Sequence, residues 1–167
     1  MTIGLISDTH GYLDPKARFY FDSCDEIWHA GDIGTFSVLE ELESISPTFG
    51  VYGNVDGQEI RLRWPKDLWL NRSGVRILIT HIAGRPGRYN KRVKFMLESS
   101  SPDVLVCGHS HILKVMKDAD FKNMLYINPG AAGKQGFHHI KTMVRLTLGK
   151  GKVTNLEVIE MGRRGTL

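Results

Sequence analysis

Cysteines and long apolar segments are both scarce in this sequence. The 167 residues include two cysteines, Cys24 and Cys107, which form no Cys-x-x-Cys motif, and we assign them no redox or metal-binding role. No apolar run reaches the roughly 20 residues that a membrane-spanning helix needs. The N-terminus shows neither a cationic segment nor a cleavage site. These absences predict a cytoplasmic protein that does not enter a membrane.

A strong excess of one charge is also missing. The formal net charge of +4 permits an anionic partner, and basic residues cluster between positions 85 and 94. Nucleic-acid-binding modules usually interleave aromatic residues with such a cluster, whereas only Tyr89 and Phe95 lie near this one. We therefore interpret the cluster as a solvated helix face and do not expect nucleic acid as the partner.

The composition is that of an ordinary globular protein, with 41% hydrophobic and 24% charged residues. The length suits one domain with a substantial core, so we predict that residues 1–167 form a single domain. The last six residues are expected to be frayed. The oligomeric state is left open, with a homo-oligomer as one alternative.

Strands and helices are predicted to alternate in the first half of the chain. Residues 3–7, 25–30 and 49–52 are predicted strands, and residues 16–23 and 36–43 are predicted helices. The second half has one predicted helix and mostly strands. The helix spans 89–98, and the strands span 68–71, 75–80, 104–107, 113–117, 125–127, 143–148 and 153–160. This order predicts a layered α/β domain with two mixed sheets packed face to face and helices outside.

Polar clusters follow five of the predicted strands. They are Asp8-Thr9-His10, Gly31-Asp32, Gly53-Asn54-Val55-Asp56, Thr80-His81 and Gly108-His109-Ser110-His111. Ligand sites of open α/β sheets lie at the carboxyl ends of strands. Imidazole nitrogens, carboxylate oxygens and an amide oxygen all suit a borderline divalent metal ion.

No single cluster identifies a metal site, because Gly-Asp and Gly-Asn pairs are common in turns. The combination is more specific, since four of the seven histidines lie inside these clusters. The adjacent His138 and His139 are not expected to chelate jointly, because neighbouring side chains of an extended backbone point to opposite sides.

The ordered motifs Asp-x-His, Gly-Asp, Gly-Asn-x-Asp, His and Gly-His-x-His resemble those of the calcineurin-like metallophosphoesterases. The resemblance is greatest to their small bacterial and archaeal phosphodiesterase branch, and it spans Asp8 to His111. The segment from Ile127 to Ala131 resembles a further loop of that branch. The resemblance implies a four-layer α/β/β/α sandwich of two mixed sheets flanked by helices.

The same resemblance implies a dinuclear metal site. One ion would be held by Asp8, His10, Asp32 and His111, and the other by Asp32, Asn54, His81 and His109, with Asp32 bridging. Manganese is the favoured metal, with iron, zinc, nickel and cobalt as alternatives. A hydroxide that bridges the metals would attack phosphorus in line, and Asp32, Asn54 and His81 would act through the metals. The implied reaction is hydrolysis of a small phosphodiester, with phosphatase activity left open.

Two positions depart from the family pattern. Val55 stands where many relatives have histidine or cysteine, so no acid for the leaving group is identified and aryl esters should react faster than alkyl esters. Ile82 follows His81 where relatives often have glycine, which predicts a different loop over the second metal.

Other candidates have two interpretations each. Asp56 either orients a ligand or stabilises a turn. Arg85 and Arg88 either bind a substrate phosphate or are ordinary exposed arginines. Asn128 and Gly130 either line the phosphate pocket, by family resemblance, or form a turn. His29 is interpreted as a packed histidine without a site role.

Two alternatives to a small-molecule hydrolase remain at this stage. One is a protein-interaction scaffold, because a eukaryotic retromer subunit resembles the same fold, although relatives of that type lose metal ligands. The other is a nucleic-acid binder or nuclease that uses the basic face between Arg85 and Lys94.

Overall fold

The computed structural model describes residues 1–136 and 139–163, so the predictions for His138 and for residues 164–167 lie outside it. The α-helices are α1 (Lys16–Phe21), α2 (Phe36–Glu43), α3 (Gln58–Arg63) and α4 (Lys91–Ser100). The strands are β1 (Thr2–Ile6), β2 (Glu26–His29), β3 (Thr48–Gly50), β4 (Asp67–Arg72), β5 (Val75–Thr80), β6 (Gly84–Arg85), β7 (Arg88–Tyr89), β8 (Val104–Val106), β9 (Leu113–Asp118), β10 (Met124–Pro129), β11 (Ile140–Gly149) and β12 (Lys152–Arg163). A 3₁₀ turn over Ala119–Phe121 precedes β10.

The strands form two mixed five-stranded sheets. The first has the order β12-β11-β1-β2-β3, in which β1, β2 and β3 run parallel. The second has the order β4-β5-β8-β10-β9, in which β5, β8 and β10 run parallel. The remaining strands of the two sheets, β4, β9, β11 and β12, pair antiparallel, and β6 with β7 forms a separate hairpin. Each sheet therefore presents the carboxyl ends of three parallel strands at one edge.

An apolar core lies between the two sheets. Leu5 and Trp28 of the first sheet and Ile77, Val106 and Ile127 of the second are buried in one cluster. Such strands are apolar on the face that packs and bury that face against a facing sheet. The inter-sheet cluster thus holds the two parallel-strand edges side by side.

Helices cover the outer faces of both sheets. Leu39 and Leu42 lie one turn apart on α2 and pack with Phe21 of α1 against the first sheet. Val93 and Leu97 of α4 pack against the second sheet. The observed layers confirm the predicted α/β/β/α sandwich.

Most predicted elements are present, but several bounds differ. The predicted helix at 89–98 begins at Lys91, because the Asn90 side chain caps it by accepting a hydrogen bond from the Val93 amide, 2.9 Å away. The residues before it form the β6–β7 hairpin. The helix α3 was not predicted, since its segment is polar and Ile60 is the buried residue of the helix. The strand β12 extends into the expected frayed tail, where Gly162 pairs with Lys141.

Over the described ranges, none of the helices has both the length and the apolar character needed to cross a membrane.

Candidate metal centre

The predicted ligands lie in loops that leave the carboxyl ends of the parallel strands. Backbone hydrogen bonds hold these loops to one another. The Asp8 amide donates to the Gly31 carbonyl and the His10 amide to the Asp32 carbonyl, both at 3.0 Å. Within the second sheet, the Gly108 amide donates to the His81 carbonyl, also at 3.0 Å. Between the two sheets, the His109 amide donates to Asp8 Oδ2 at 3.1 Å. Loops that are distant in sequence therefore meet at one edge of the sandwich.

Asp8, His10 and His111 form a first group, whose candidate ligand atoms all lie within 4.8 Å of one another. Asp8 is buried and both histidines are partly buried. The Nε2 atom of His111 lies 3.3 Å from Asp8 Oδ1 and 3.2 Å from His10 Nε2. The Asp8 carboxylate also accepts hydrogen bonds from the Ser7 hydroxyl and the His109 amide, which orient it.

Asp32, His81 and His109 form a second group, whose candidate ligand atoms also lie within 4.8 Å of one another. The Nε2 atom of His81 lies 3.2 Å from Asp32 Oδ2 and 3.1 Å from Asn54 Oδ1. The Val55 amide donates to the other oxygen of Asp32 at 3.0 Å. The structure thus brings Asn54 to this group as well, and all seven predicted ligands lie in or against the two groups.

The donor atoms in both groups are arranged as a cation would require. The Nδ1 atom of His81 lies 2.8 Å from the Ala30 carbonyl and must carry a proton to make that bond. In the neutral form of the ring, the Nε2 lone pair would point toward two oxygen acceptors, an arrangement that needs a cation between them. In the first group, two imidazole Nε2 atoms face each other beside a carboxylate. A divalent cation accepts lone pairs from all of these atoms, so the residues fit a metal ion in each group.

The charge states also suit metal binding. Burial lowers the pKa of His10 and of His109, so their neutral imidazoles are available as ligands. Burial opposes ionisation of Asp32, but the hydrogen bonds from His81 and the Val55 amide outweigh it and hold the pKa of Asp32 below its ordinary value. Burial likewise opposes the charged form of His81, yet its bond to Asp32 raises the pKa of His81. His81 Nε2 and Asp32 Oδ2 are 3.2 Å apart, close enough for both to contact one cation.

The backbone of the site is strained. Asp8, His10, Asp32, His109 and His111 all have positive φ angles, between 48° and 68°. This left-handed conformation is uncommon for residues other than glycine and clusters at functional sites. At two glycines of the site, Gly53 and Gly108, there is no room for a side chain. A Cβ atom on Gly53 would lie 2.0 Å from Asp32 Oδ1, and one on Gly108 would lie 2.0 Å from Ser7 Oγ.

Asp56 is a buried residue that holds two of the ligand-bearing loops together. The carboxylate is buried and accepts hydrogen bonds from the Gly34 amide at 2.8 Å and the Gly53 amide at 2.7 Å. It therefore ties the loop that carries Asp32 to the loop that carries Asn54. These bonds are compatible with either interpretation of Asp56, as a turn-stabilising residue or as an outer support for a ligand.

The other candidates lie at the edge of the site. Arg85 and Arg88 line a cavity beside His109 and are not part of either group. The buried Asn128 amide donates to the Gly108 carbonyl at 2.8 Å and to Ser110 Oγ at 3.0 Å, and its oxygen accepts from the Gly130 amide. Asn128 therefore braces the loop that carries His109 and His111.

Two buried residues with a positioning role were missed from the sequence. The Gly31 amide donates to Nδ1 of His29, which leaves the proton on Nε2 to be donated to Thr9 Oγ1, 3.0 Å away. The Thr9 hydroxyl in turn donates to the Ile33 carbonyl. These hydrogen bonds fix the position of Thr9, the residue between Asp8 and His10. The sequence could have pointed to His29 by its position at the end of a strand, two residues before Gly31 in the Gly31-Asp32 turn.

The buried His29 makes stability depend on pH. Burial lowers the pKa of His29 to about 4, although the nearby Asp56 charge partly opposes this. The unfolded chain binds a proton below its ordinary pKa near 6.5 and the folded chain does not. Stability should therefore fall by up to about 1.4 kcal/mol per unit as the pH drops from about 6.5 to 4. Urea unfolding of the wild-type protein and His29→Gln over this range tests the expectation. Equal pH slopes in the two proteins would contradict it.

Known proteins show which family shares this arrangement. A sequence profile of the calcineurin-like phosphoesterase superfamily domain matches residues 1–151. A probable metallophosphoesterase of Methanocaldococcus jannaschii is 31% identical over 139 residues, which cover 78% of this chain and 68% of that protein.

Solved structures share the fold. An archaeal phosphodiesterase superposes with a TM-score of 0.76 at 24% identity, over 96% of this chain and all of its own. Vps29 of Chaetomium thermophilum superposes with a TM-score of 0.77 at 15% identity, over 99% of this chain and all of its own. Because the family profile matches residues 1–151, which is most of the sequence, the chain belongs to the calcineurin-like phosphoesterase superfamily.

Proposed function

We propose that this protein is a metal-dependent phosphodiesterase with a dinuclear centre. The observation that carries the proposal is the pair of ligand groups at one edge of the sandwich, each with a carboxylate and two histidines. Asp8, His10 and His111 would hold one ion. His81, His109 and Asn54 would hold the other, and Asp32 would bridge the two.

Two divalent ions bound there would activate a water molecule and neutralise charge on the phosphoryl oxygens, and manganese is the favoured metal. Hydrogen bonds from neighbouring groups hold the ligand carboxylates in place. Ser7 and the His109 amide orient Asp8, whereas the Val55 amide orients Asp32. In the overall reaction the water oxygen bonds to phosphorus and one ester P–O bond breaks. The proton from water ends on the leaving alcohol or, for a nitrophenolate, in solvent.

Phosphodiesterase assays test the proposal directly. Bis(p-nitrophenyl) phosphate should be hydrolysed when manganese is supplied, and a chelator should stop the reaction until metal is restored. The alternative of a protein-interaction scaffold needs no metal. Metal content after purification without chelator separates the two functions, since a protein free of metal and of turnover would support the scaffold.

The position of Val55 gives a prediction about the leaving group. Its side chain is 53% exposed and its amide contacts Asp32, so the residue lies at the rim of the second group. A valine cannot protonate a leaving alkoxide, and an acid at this point should help alkyl esters most. Val55→His should therefore raise turnover of a dinucleoside monophosphate by about 100-fold and change bis(p-nitrophenyl) phosphate turnover little.

Val55→Gln is the matched control for this substitution, because glutamine is polar but transfers no proton at neutral pH. Rates with both esters should stay near the wild-type values. An equal change with both esters in Val55→His would show that the residue does not act on the leaving group.

A further inference from the structure

Ile82 borders two cavities beside the second ligand group. The side chain is 39% exposed and lines both of them. The smaller cavity, about 230 Å³, borders Asn54 and His81, and the larger, about 440 Å³, borders His109. A phosphodiester carries two substituents, whereas a monoester carries one. Two cavities that both border Ile82 therefore match the two arms of a diester.

Basic residues and no carboxylates line both cavities, among the residues that the structure describes. In the smaller cavity, two of the three cations already have partners. Arg92 pairs with Asp67, and Arg61 donates to the backbone carbonyls of Asp56 and Gly53. Among the residues that the structure describes, Lys66 is thus the one cation of this cavity without a hydrogen-bond or ion-pair partner.

In the larger cavity, three basic residues have no such partner in the described part of the chain, namely Arg85, Arg88 and Lys114. Arg85 and Arg88 lie directly opposite each other in the β6–β7 hairpin, and like charges in that position destabilise a strand pair. Within residues 1–136 and 139–163, neither guanidinium donates a hydrogen bond or joins an ion pair, and Lys114, which lines the same cavity, has no acidic partner either. An anion between these groups would remove the repulsion.

We propose that the substrate is an asymmetric linear phosphodiester whose larger arm carries a second phosphate, which Arg85, Arg88 and Lys114 bind in the larger cavity. The smaller arm occupies the cavity beside Asn54. Guanidinium groups suit a phosphate because their paired N–H donors match two of its oxygens. The volume of the larger cavity is in the range that holds a small organic ligand such as a nucleoside. This inference rests on the proposed phosphodiesterase function.

Paired substrates test the inference. The 5′-p-nitrophenyl esters of thymidine 5′-phosphate and thymidine 3′,5′-bisphosphate differ only in the second phosphate. With the manganese-supplied protein, the second phosphate should lower KM by about ten-fold and change kcat little. Arg85→Gln with Arg88→Gln should remove this advantage. Lys117→Gln with Lys152→Gln removes the same charge from a different groove and should preserve it.

A binding measurement separates this inference from the proposed function. Calorimetry with thymidine 3′,5′-bisphosphate and chelator-treated protein should show binding about ten-fold weaker in the double arginine variant. Hydrolysis of both esters with the same KM would overturn the inference and leave the function standing. Absence of hydrolysis would overturn the function, and unchanged binding in the arginine variant would overturn the anion site independently.

Discussion

Asp32→Ala should abolish metal-dependent hydrolysis of bis(p-nitrophenyl) phosphate. Asp32 is buried, contacts His81 and belongs to the second ligand group, and in the proposed centre it is shared by both ions. Loss of residues that merely orient metal ligands already costs 10- to 100-fold, so loss of a shared ligand should lower kcat/KM by more than about 100-fold. Bound metal per chain should fall in the same variant, as measured by elemental analysis.

The control for this substitution is Asp22→Ala, which removes an exposed carboxylate at the end of α1. Its activity and metal content should equal those of the wild-type protein. Circular dichroism of Asp32→Ala should show a folded protein, so that the loss can be attributed to the site. Retention of metal-dependent turnover by a folded Asp32→Ala would remove Asp32 from the mechanism.

Gly53→Ala adds a single methyl group and should lower both the stability and the activity of the protein. The added Cβ atom would lie 2.0 Å from Asp32 Oδ1 and 2.3 Å from the Asp32 backbone nitrogen, so the backbone of one loop has to move. Overpacking of this kind costs about 1–3 kcal/mol or more, and the Asp32 carboxylate would be displaced from His81. We expect a fall in the melting temperature of about 5 °C or more and a loss of activity that added manganese does not restore.

Gly57→Ala provides a comparison at a neighbouring glycine. No atom lies within 4 Å of the Cβ position there, so the methyl group enters open space. Its melting temperature and activity should stay close to those of the wild-type protein. Equal effects at positions 53 and 57 would show that the contact with Asp32 is not what excludes a side chain at Gly53.

The layers of the fold and the proximity of the ligand loops could both be predicted from the pattern of strands and polar clusters. Short apolar strands such as β1 and β5 each end in a polar cluster, and parallel strands place such ends at a common edge. The ordered motifs then indicated which clusters belong together. The prediction of a layered sandwich needed only these local patterns.

Features that depend on distant contacts could not be predicted in the same way. His29 is a buried histidine on a strand, and its role depends on Thr9, which is 20 residues earlier. The helix α3 has a mostly polar sequence in which Ile60 is the buried residue, so it shows no apolar face in the sequence. The paired position of Arg85 and Arg88 requires the hairpin turn between them, whose two-residue strands carry no periodic signal. The domain count and the cytoplasmic location stay predictions.

The most direct measurement of the central claim is a crystal structure of the protein with manganese, recorded with anomalous scattering. The account predicts two anomalous peaks, one among Asp8, His10 and His111 and the other among His81, His109 and Asn54, with Asp32 in contact with both. A folded, manganese-supplied crystal with no peak between these side chains, or with manganese bound only elsewhere, would contradict it.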